Sequence, residues 1–412
     1  MNTRPNIIYF NPDQLRADLL GCYGDPLART PNFDRLAREG VRFDQCHVQH
    51  PVCTPSRCSF MTGWYPHVRG HRTLWHLLRP DEPNTLKYLK QSGYDVHWIG
   101  KNDLLAPASF ADSVTHVHEW TWQGGGARDN FPPDTPGYQS FLFGPSPGHM
   151  TDWYQMDQAI EFLRNRRADD PPFMLFLPFL MPHCPFTCPQ PWYDMFDPDD
   201  LPPLRPADLP GMPAFHRLSR RYRRLEELDE GMLRKIRAVY LGMIAYVDEI
   251  LGRLLAALDE TGLVDSTAVF AFSDHGEWAG DYGLVEKWPS GLDDCLTRVP
   301  LIVRAPGVQA GHVVCEPVEC FDIMPTTLDL AGVECRHTHF ARSLLPQLEG
   351  AAGDATRMVF AEGGYDVHEP HCFEGLPGGA QDVGDDPRGI YYPKGQQQQA
   401  HPEHAGAIVV IR

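Results

Sequence analysis

What this chain lacks narrows its function before any motif is read. It has little basic charge: 36 Lys and Arg stand against 54 Asp and Glu, a formal net charge of −18. A chain without a basic face is not expected to take nucleic acid or an anionic membrane surface as a partner. No apolar run is long enough to span a bilayer. The opening residues, MNTRPNIIYFNPDQ, show no charged leader, long apolar run or small-residue cleavage site, which predicts a cytoplasmic protein. Paired cysteine spacings are missing as well. The 11 cysteines are scattered at 22, 46, 53, 58, 184, 188, 295, 315, 320, 335 and 372, so neither a disulfide framework nor a zinc finger is expected. Cys184 and Cys188, set among Pro182, Pro185 and Pro189, read as a structured loop of mostly reduced, buried thiols. No internal repeat is apparent.

What is present suits a large enzyme-sized core: 412 residues, 42% of them hydrophobic, predict one big domain with room for a small appendage. The chain alternates short apolar runs with helical patterns. Residues 6–10 (NIIYF) read as a buried strand that ends at Asn11-Pro12-Asp13-Gln14. Thr30-Pro31 caps a helix through Arg38 that Gly40 stops, and 41–48 reads as a strand. Further helices are expected over 83–91, 151–167 and 232–258, and from a cap at Asp322 through Leu330; the apolar positions of 232–258 recur at helical spacing. Strands are expected at 94–99, 172–180, 267–272, 298–303 and 358–361. Long loops are expected over 123–150 and 189–212, and the basic run 219–224 reads as a solvated helix start. The tail carries a glutamine tract at 396–399 and an apolar run at 407–411. Repeated strand, loop and helix predict an α/β fold with a mostly parallel sheet between helices, whose ligands bind beyond the carboxyl ends of the strands. Asp13, Lys101, His183 and Asp274 each follow a predicted strand, so one crevice collects them.

Residues 51–63, PVCTPSRCSFMTG, stand apart from this pattern. If the segment after Cys53 is helical, Arg57 shares its face one turn on. A helix N-terminus beside a guanidinium favours a thiolate or an oxyanion and attracts an anionic substrate; a buried structural cysteine is the ordinary alternative. The full string, Cys-Thr-Pro-Ser-Arg followed by Phe60, Thr62 and Gly63, resembles the signature of the type I sulfatases of the alkaline phosphatase superfamily.

The resemblance implies that Cys53 is oxidised by a formylglycine-generating enzyme, and that the hydrated aldehyde is the nucleophile. It implies that Arg57 holds that nucleophile and that Lys101, His183 and Lys287 stabilise charge or move protons. Here Lys101 matches a Gly-Lys signature, His183 a Pro-His-x-Pro-Phe loop, and Lys287 a lysine after an Asp-x-Gly segment. Asn102 and Asp103 replace the Trp-His that usually follows that lysine, so Asp103 is the candidate proton acceptor; His67 and His71 are lesser candidates for substrate contact. Asp13, Gln14, Asp274 and His275, with an oxygen from the modified Cys53, form a donor set for one divalent cation: Ca²⁺, Mg²⁺, Mn²⁺ or Zn²⁺. The pairs Asp13-Gln14 and Asp274-His275 look more like the choline sulfatase and phosphonate monoester hydrolase branches than the Asp-Asp and Asp-Asn of many sulfatases. The expected layout is a catalytic domain over 1–345 and a short or truncated, loop-rich C-terminal subdomain over 346–412.

The function expected is hydrolysis of a small anionic sulfuric ester. A phosphonate monoester or phosphodiester hydrolase with the same nucleophile, and an inactive anion-binding relative, are the alternatives; a homo-oligomer stays open.

Overall fold

The computed structural model describes residues 4–74, 76–118, 142–364 and 408–411. Its first half runs β1 (Asn6–Pro12), α1 (Pro31–Glu39), β2 (Val41–Phe43), β3 (Cys46–His47), α2 (Cys53–Thr62), α3 (Thr85–Gln91), β4 (Asp95–Ile99), α4 (Phe110–Ser113), β5 (His116–His118), α5 (Thr151–Arg164) and β6 (Phe173–Phe179). Then follow α6 (Ala214–Tyr222), α7 (Glu230–Thr261), β7 (Thr267–Phe272), α8 (Asp294–Thr297), β8 (Arg298–Val299), β9 (Leu301–Arg304), β10 (His312–Val314), β11 (Val318–Glu319), α9 (Ile323–Leu330), α10 (Leu345–Leu348), β12 (Phe360–Gly363) and β13 (Ile408–Ile411).

Eight strands make one sheet in the order β10-β2-β9-β7-β1-β6-β4-β5. Every pairing from β7 to β5 is parallel, and β9 alone runs against both its neighbours. The central strand β1, NIIYFNP, is apolar on both faces because both are covered. Its alternate residues enter two cores. Ile8 and Phe10 pack with Leu36 of α1, Ile160 of α5 and Leu251 of α7, while Ile7 and Tyr9 pack with Phe60 of α2, Leu89 of α3 and Leu328 of α9. This is the helix-sheet-helix architecture expected from the alternation. Among the described residues no helix is long and apolar enough to cross a membrane, and the described cysteines are all free thiols.

Several local expectations are corrected. Residues 41–48 are two short strands, β2 in the main sheet and β3 in a separate sheet ordered β11-β3-β8, and the same split divides 298–303 into β8 and β9. Thr30 precedes α1 but its hydroxyl accepts from the Gly21 N–H. The free N–H groups of α1 are taken instead by a carboxylate from α7: Asp248 accepts from Asn32 N and Phe33 N at 3.0 and 2.8 Å. Asp322 starts α9, yet its side chain reaches back to the Glu319 N–H rather than capping forward. The basic run 219–224 closes α6 instead of opening a helix, and Arg223 is buried, donating to the carbonyls of Val285 and Lys287. β12 and β13 pair antiparallel. The 123–141 part of the expected loop, the glutamine tract, Cys372 and most of 346–412 lie outside the described residues.

Candidate active site

The parallel register brings the ends of β7, β1, β6 and β4 to one edge of the sheet. The residues that leave these strands are Asp274, Asp13, His183 and Lys101. Asp13 and Asp274 are fully buried, and Gln14 takes a left-handed φ of 69°, a costly conformation for a side chain with a Cβ. With that turn, the Gln14 N–H reaches Asp274 Oδ1 at 3.0 Å. The ends of β1 and β7 are thereby tied together at this edge of the sheet.

α2 approaches the same edge N-terminus first. Its first residue is Cys53, preceded by Val52 in an extended conformation, and it stops at Gly63 with φ 69°. Cys53 Sγ lies 3.1 Å from His275 Nε2 and 3.5 Å from Asp13 Oδ1. One turn on, Arg57 donates through Nε to Asp274 Oδ2 at 2.8 Å and through Nη2 to Asp13 Oδ2 at 3.0 Å. Its third nitrogen, Nη1, is buried without a hydrogen-bond partner among the described residues.

The guanidinium is therefore used on carboxylates, and this corrects the thiolate reading of Cys53. Burial, and then the Asp13 carboxylate, push the Cys53 thiol well above its ordinary range. An unmodified Cys53 is a neutral thiol here, unsuited to attack as a thiolate.

The acids respond in the opposite sense. Burial works against ionisation of Asp13, but the charges of Lys101 and Arg57 outweigh it and hold the carboxyl well below the usual range. Lys101 Nζ bridges Asp13 Oδ2 and Asp103 Oδ2, each at 2.7 Å. Asp103 is buried in the same field, and Lys101 and Arg57 overcome that burial to keep it ionised. Asn102 plays a different part: its Oδ1 accepts the N–H groups of Leu104 and Leu105, so it staples the loop.

A cation-binding donor set is legible in these contacts. Ligand atoms of Asp13, Cys53, Asp274 and His275 all lie within 4.8 Å of one another. His275 Nδ1 donates to the Gly276 carbonyl at 2.9 Å, which leaves the Nε2 lone pair facing the cluster; burial holds the ring neutral. Two carboxylates, an imidazole nitrogen and the residue-53 position fit a divalent cation. Gln14 stands beside this set with its amide turned elsewhere: Oε1 accepts from Lys287 Nζ at 3.1 Å, and Nε2 meets the Glu277 carboxylate.

Lys287 joins the network through Gln14. Its Nζ also contacts Glu286 Oε1 at 3.0 Å and His183 Nε2 at 2.6 Å. His183 Nδ1 donates to the Cys184 carbonyl, so Nε2 is the acceptor of the Lys287 proton. Burial, reinforced by Lys287 and Lys101, lowers the His183 pKa to about 3.

All the expected site residues except His67 and His71 thus interlock. His67 is half-exposed and paired with Glu362, and His71 is held by the His76 carbonyl and Glu82. Sequence reasoning passed over Glu277, Glu286, Asp152 and Tyr240. Glu277 is buried against Gln14, and burial raises its pKa to about 7. Asp152 accepts the N–H groups of Leu180 and Met181 and so pins the turn before His183. Tyr240 donates its hydroxyl to the Gln14 carbonyl at 2.5 Å. Only Glu277 and Glu286 left a trace, as acids beside the Asp274-His275-Gly276 run and Lys287; Tyr240 is indistinguishable from the apolar stripe of α7.

Comparison with known proteins agrees with this geometry. The chain is 32% identical over 414 residues to the "Multifunctional alkaline phosphatase superfamily protein PehA" of Trinickia caryophylli, covering 85% of this chain and 79% of the relative. It is 27% identical to the choline-sulfatase of Rhizobium meliloti over 406 residues, covering 87% of this chain and 74% of that one. Among solved structures it superposes on the phosphonate monoester hydrolase SpPMH from Silicibacter pomeroyi with a TM-score of 0.77 and 26% identity, covering 99% of this chain and 85% of that chain. The sulfatase family model matches residues 5–333, and the chain belongs to the sulfatase family of the alkaline phosphatase superfamily.

Proposed function

We propose that this chain is a metal-dependent sulfuric ester hydrolase whose nucleophile is a formylglycine made from Cys53. The observation that carries the reading is the place of Cys53: the first residue of α2, 3.1 Å from His275 Nε2 and beside Asp13, yet with its thiol held neutral. Sγ marks where an oxygen of the hydrated aldehyde would stand. A divalent cation held by Asp13, Asp274, His275 and residue 53, with Gln14 alongside, would acidify that hydroxyl and neutralise ester oxygens.

The protein's own groups do the rest. Arg57 fixes Asp13 and Asp274, whose carboxylates cluster with residue 53. One hydroxyl of residue 53, having lost its proton to solvent, attacks sulfur as the alkoxide and the S–O bond to the alcohol breaks. The alcohol leaves with a proton from Lys287, whose charge His183, a neutral acceptor, helps to position. Lys101 and Lys287 neutralise the ester oxygens as charge shifts. Asp103, ionised against Lys101, takes the proton of the second hydroxyl; the C–O bond to sulfate then breaks, sulfate departs, and the aldehyde is restored. Maturation requires a formylglycine-generating enzyme as partner.

The phosphonate monoester or phosphodiester reading is favoured by a separate observation, the likeness over 99% of this chain to a phosphonate monoester hydrolase. Competing rates on matched aryl sulfate, phosphonate monoester and phosphodiester substrates decide between them. Preferential turnover of the sulfate supports the proposal; turnover of the phosphorus esters alone overturns it.

A further inference from the structure

A second cluster of ligand-type side chains is assembled away from Cys53 by strand pairing. Asp95 and His97 are two apart on β4, and His116 and His118 are two apart on β5, the edge strand. The parallel register sets His116 against His97 and His118 against Ile99, so all four side chains share one face. Ligand atoms of Asp95, His97 and His116 lie within 4.8 Å of one another.

The decisive feature is His97. It is 7% exposed, and its Nε2 lies 3.0 Å from Asp95 Oδ2. That contact is off the line a ring N–H hydrogen bond requires, and Nε2 has no hydrogen-bond partner among the described residues. The other ring nitrogen, Nδ1, faces His118 Nε2 at 3.2 Å. If Nδ1 carries the proton and donates it to His118, Nε2 presents a lone pair to a carboxylate, an arrangement that a shared cation stabilises. His116 Nε2 approaches the other carboxylate oxygen, Asp95 Oδ1, at 3.6 Å, and its side chain is 58% exposed.

We propose that Asp95, His97 and His116 form a binding site for a divalent transition-metal ion of the Zn²⁺, Co²⁺ or Ni²⁺ class, with His118 orienting His97. Two imidazole nitrogens and one carboxylate oxygen suit such ions and disfavour Ca²⁺ and Mg²⁺. The exposed side of His116 leaves the remaining coordination positions to water. His118 has the part that outer hydrogen-bond acceptors play for ligating histidines, fixing the tautomer and the ring plane. Arg166 Nη1 lies 3.5 Å from Asp95 Oδ2, the oxygen that faces His97 Nε2, and its charge moderates the affinity. The Phe162 ring packs on His97 with centroids 4.2 Å apart and closes the apolar side of the site.

The test compares the full-length protein with His116→Ala, a substitution at an exposed ring that leaves the sheet intact. Both are equilibrated with Zn²⁺, washed into metal-free buffer and measured for metal content, and both are titrated with Co²⁺ while the visible absorption is recorded. The wild type is expected to keep one metal equivalent more than His116→Ala and to show Co²⁺ bands that the variant lacks; metal held at the Cys53 cluster is common to both and cancels. His118→Ala is expected to keep the stoichiometry at saturation but to bind roughly 10- to 100-fold more weakly. Equal metal content with superimposable Co²⁺ titrations in wild type and His116→Ala overturns the site, and unchanged affinity in His118→Ala overturns the orienting role.

Discussion

α2 and α7 are both buried helices, and they are buried for different reasons. α7 spans 32 residues, opens on an Asp229 cap that accepts the Met232 N–H, and closes on Gly262 at φ 68°. Its interior positions are chiefly Leu, Ile, Val, Met, Ala and Tyr, with Asp248 buried among them, packed between the sheet and α1, α5 and the loops around Trp192. α2 has 10 residues, all buried, and among them are Cys53, Thr54, Ser56, Arg57 and Ser59. Apolar contact stabilises α7. α2 is held by the burial of Phe60 and Met61 at one end and by Arg57 on two carboxylates at the other. A helix of the first kind tolerates exchange of one apolar side chain for another; a helix of the second kind does not tolerate loss of its charge partner.

Substitutions on the two helices and their partners separate these roles, and the largest effect is expected at the nucleophile. Cys53→Ala should abolish ester hydrolysis while leaving the melting temperature within a few degrees of wild type, since it removes one neutral buried thiol; residual turnover at a substantial fraction of wild type would deny Cys53 its role. Arg57→Ala should abolish activity and also cost about 3–5 kcal/mol, because Asp13 and Asp274 lose a fully buried counter-charge; denaturant unfolding measures it. Lys287→Ala should lower kcat per folded molecule roughly 10²–10³-fold, the loss typical of one preorganised electrostatic donor. On α7, Leu251→Ala should cost about 2–5 kcal/mol of stability and leave kcat/KM per folded molecule unchanged, the reverse of the Cys53→Ala result.

The smallest effect is a pH slope. Among the described residues Asp248 of α7 has no cation partner; burial raises its carboxyl from 3.8 to about 7 despite the N–H groups of Phe33 and Asn32. The folded state therefore binds this proton more tightly than the unfolded state. Its contribution to stability is fully present below about 3.8 and is lost as pH rises to about 7, with a slope of at most about 1.4 kcal/mol per pH unit. Asp248→Asn should flatten stability against pH in that window, measured by urea unfolding at several pH values. An unchanged slope would mean that another group carries it.

How far sequence could reach differs between the same two regions. α7 was legible because packing imposes a 3.6-residue period on its apolar residues, and β1, β4, β6 and β7 were legible because a sheet covered on both faces needs continuous apolar runs. The polar residues that follow those runs, Asp13, Lys101, His183 and Asp274, could be placed together by topology alone. α2 has no such period, and it was the full string Cys-Thr-Pro-Ser-Arg followed by Phe60, Thr62 and Gly63, with Arg57 one turn after Cys53, that revealed it. What could not be read depended on tertiary pairing: the split of 41–48 between two sheets, Asp248 capping another helix, Glu277 against Gln14, and the four-residue face of β4 and β5. Short edge strands such as β5 and β10 carry three residues each, too few for any period to show.

The claim at the centre of this account is the chemistry of residue 53. Mass spectrometry of the peptide spanning residues 51–57 tests it most directly, on protein made with and without a formylglycine-generating enzyme, alongside turnover of an aryl sulfate by the same two preparations. The account predicts a thiol-to-aldehyde mass change at Cys53 only where the modifying enzyme was present, with ester hydrolysis rising in proportion to the modified fraction. An unmodified thiol in both preparations, or equal hydrolysis by modified and unmodified chains, would contradict it.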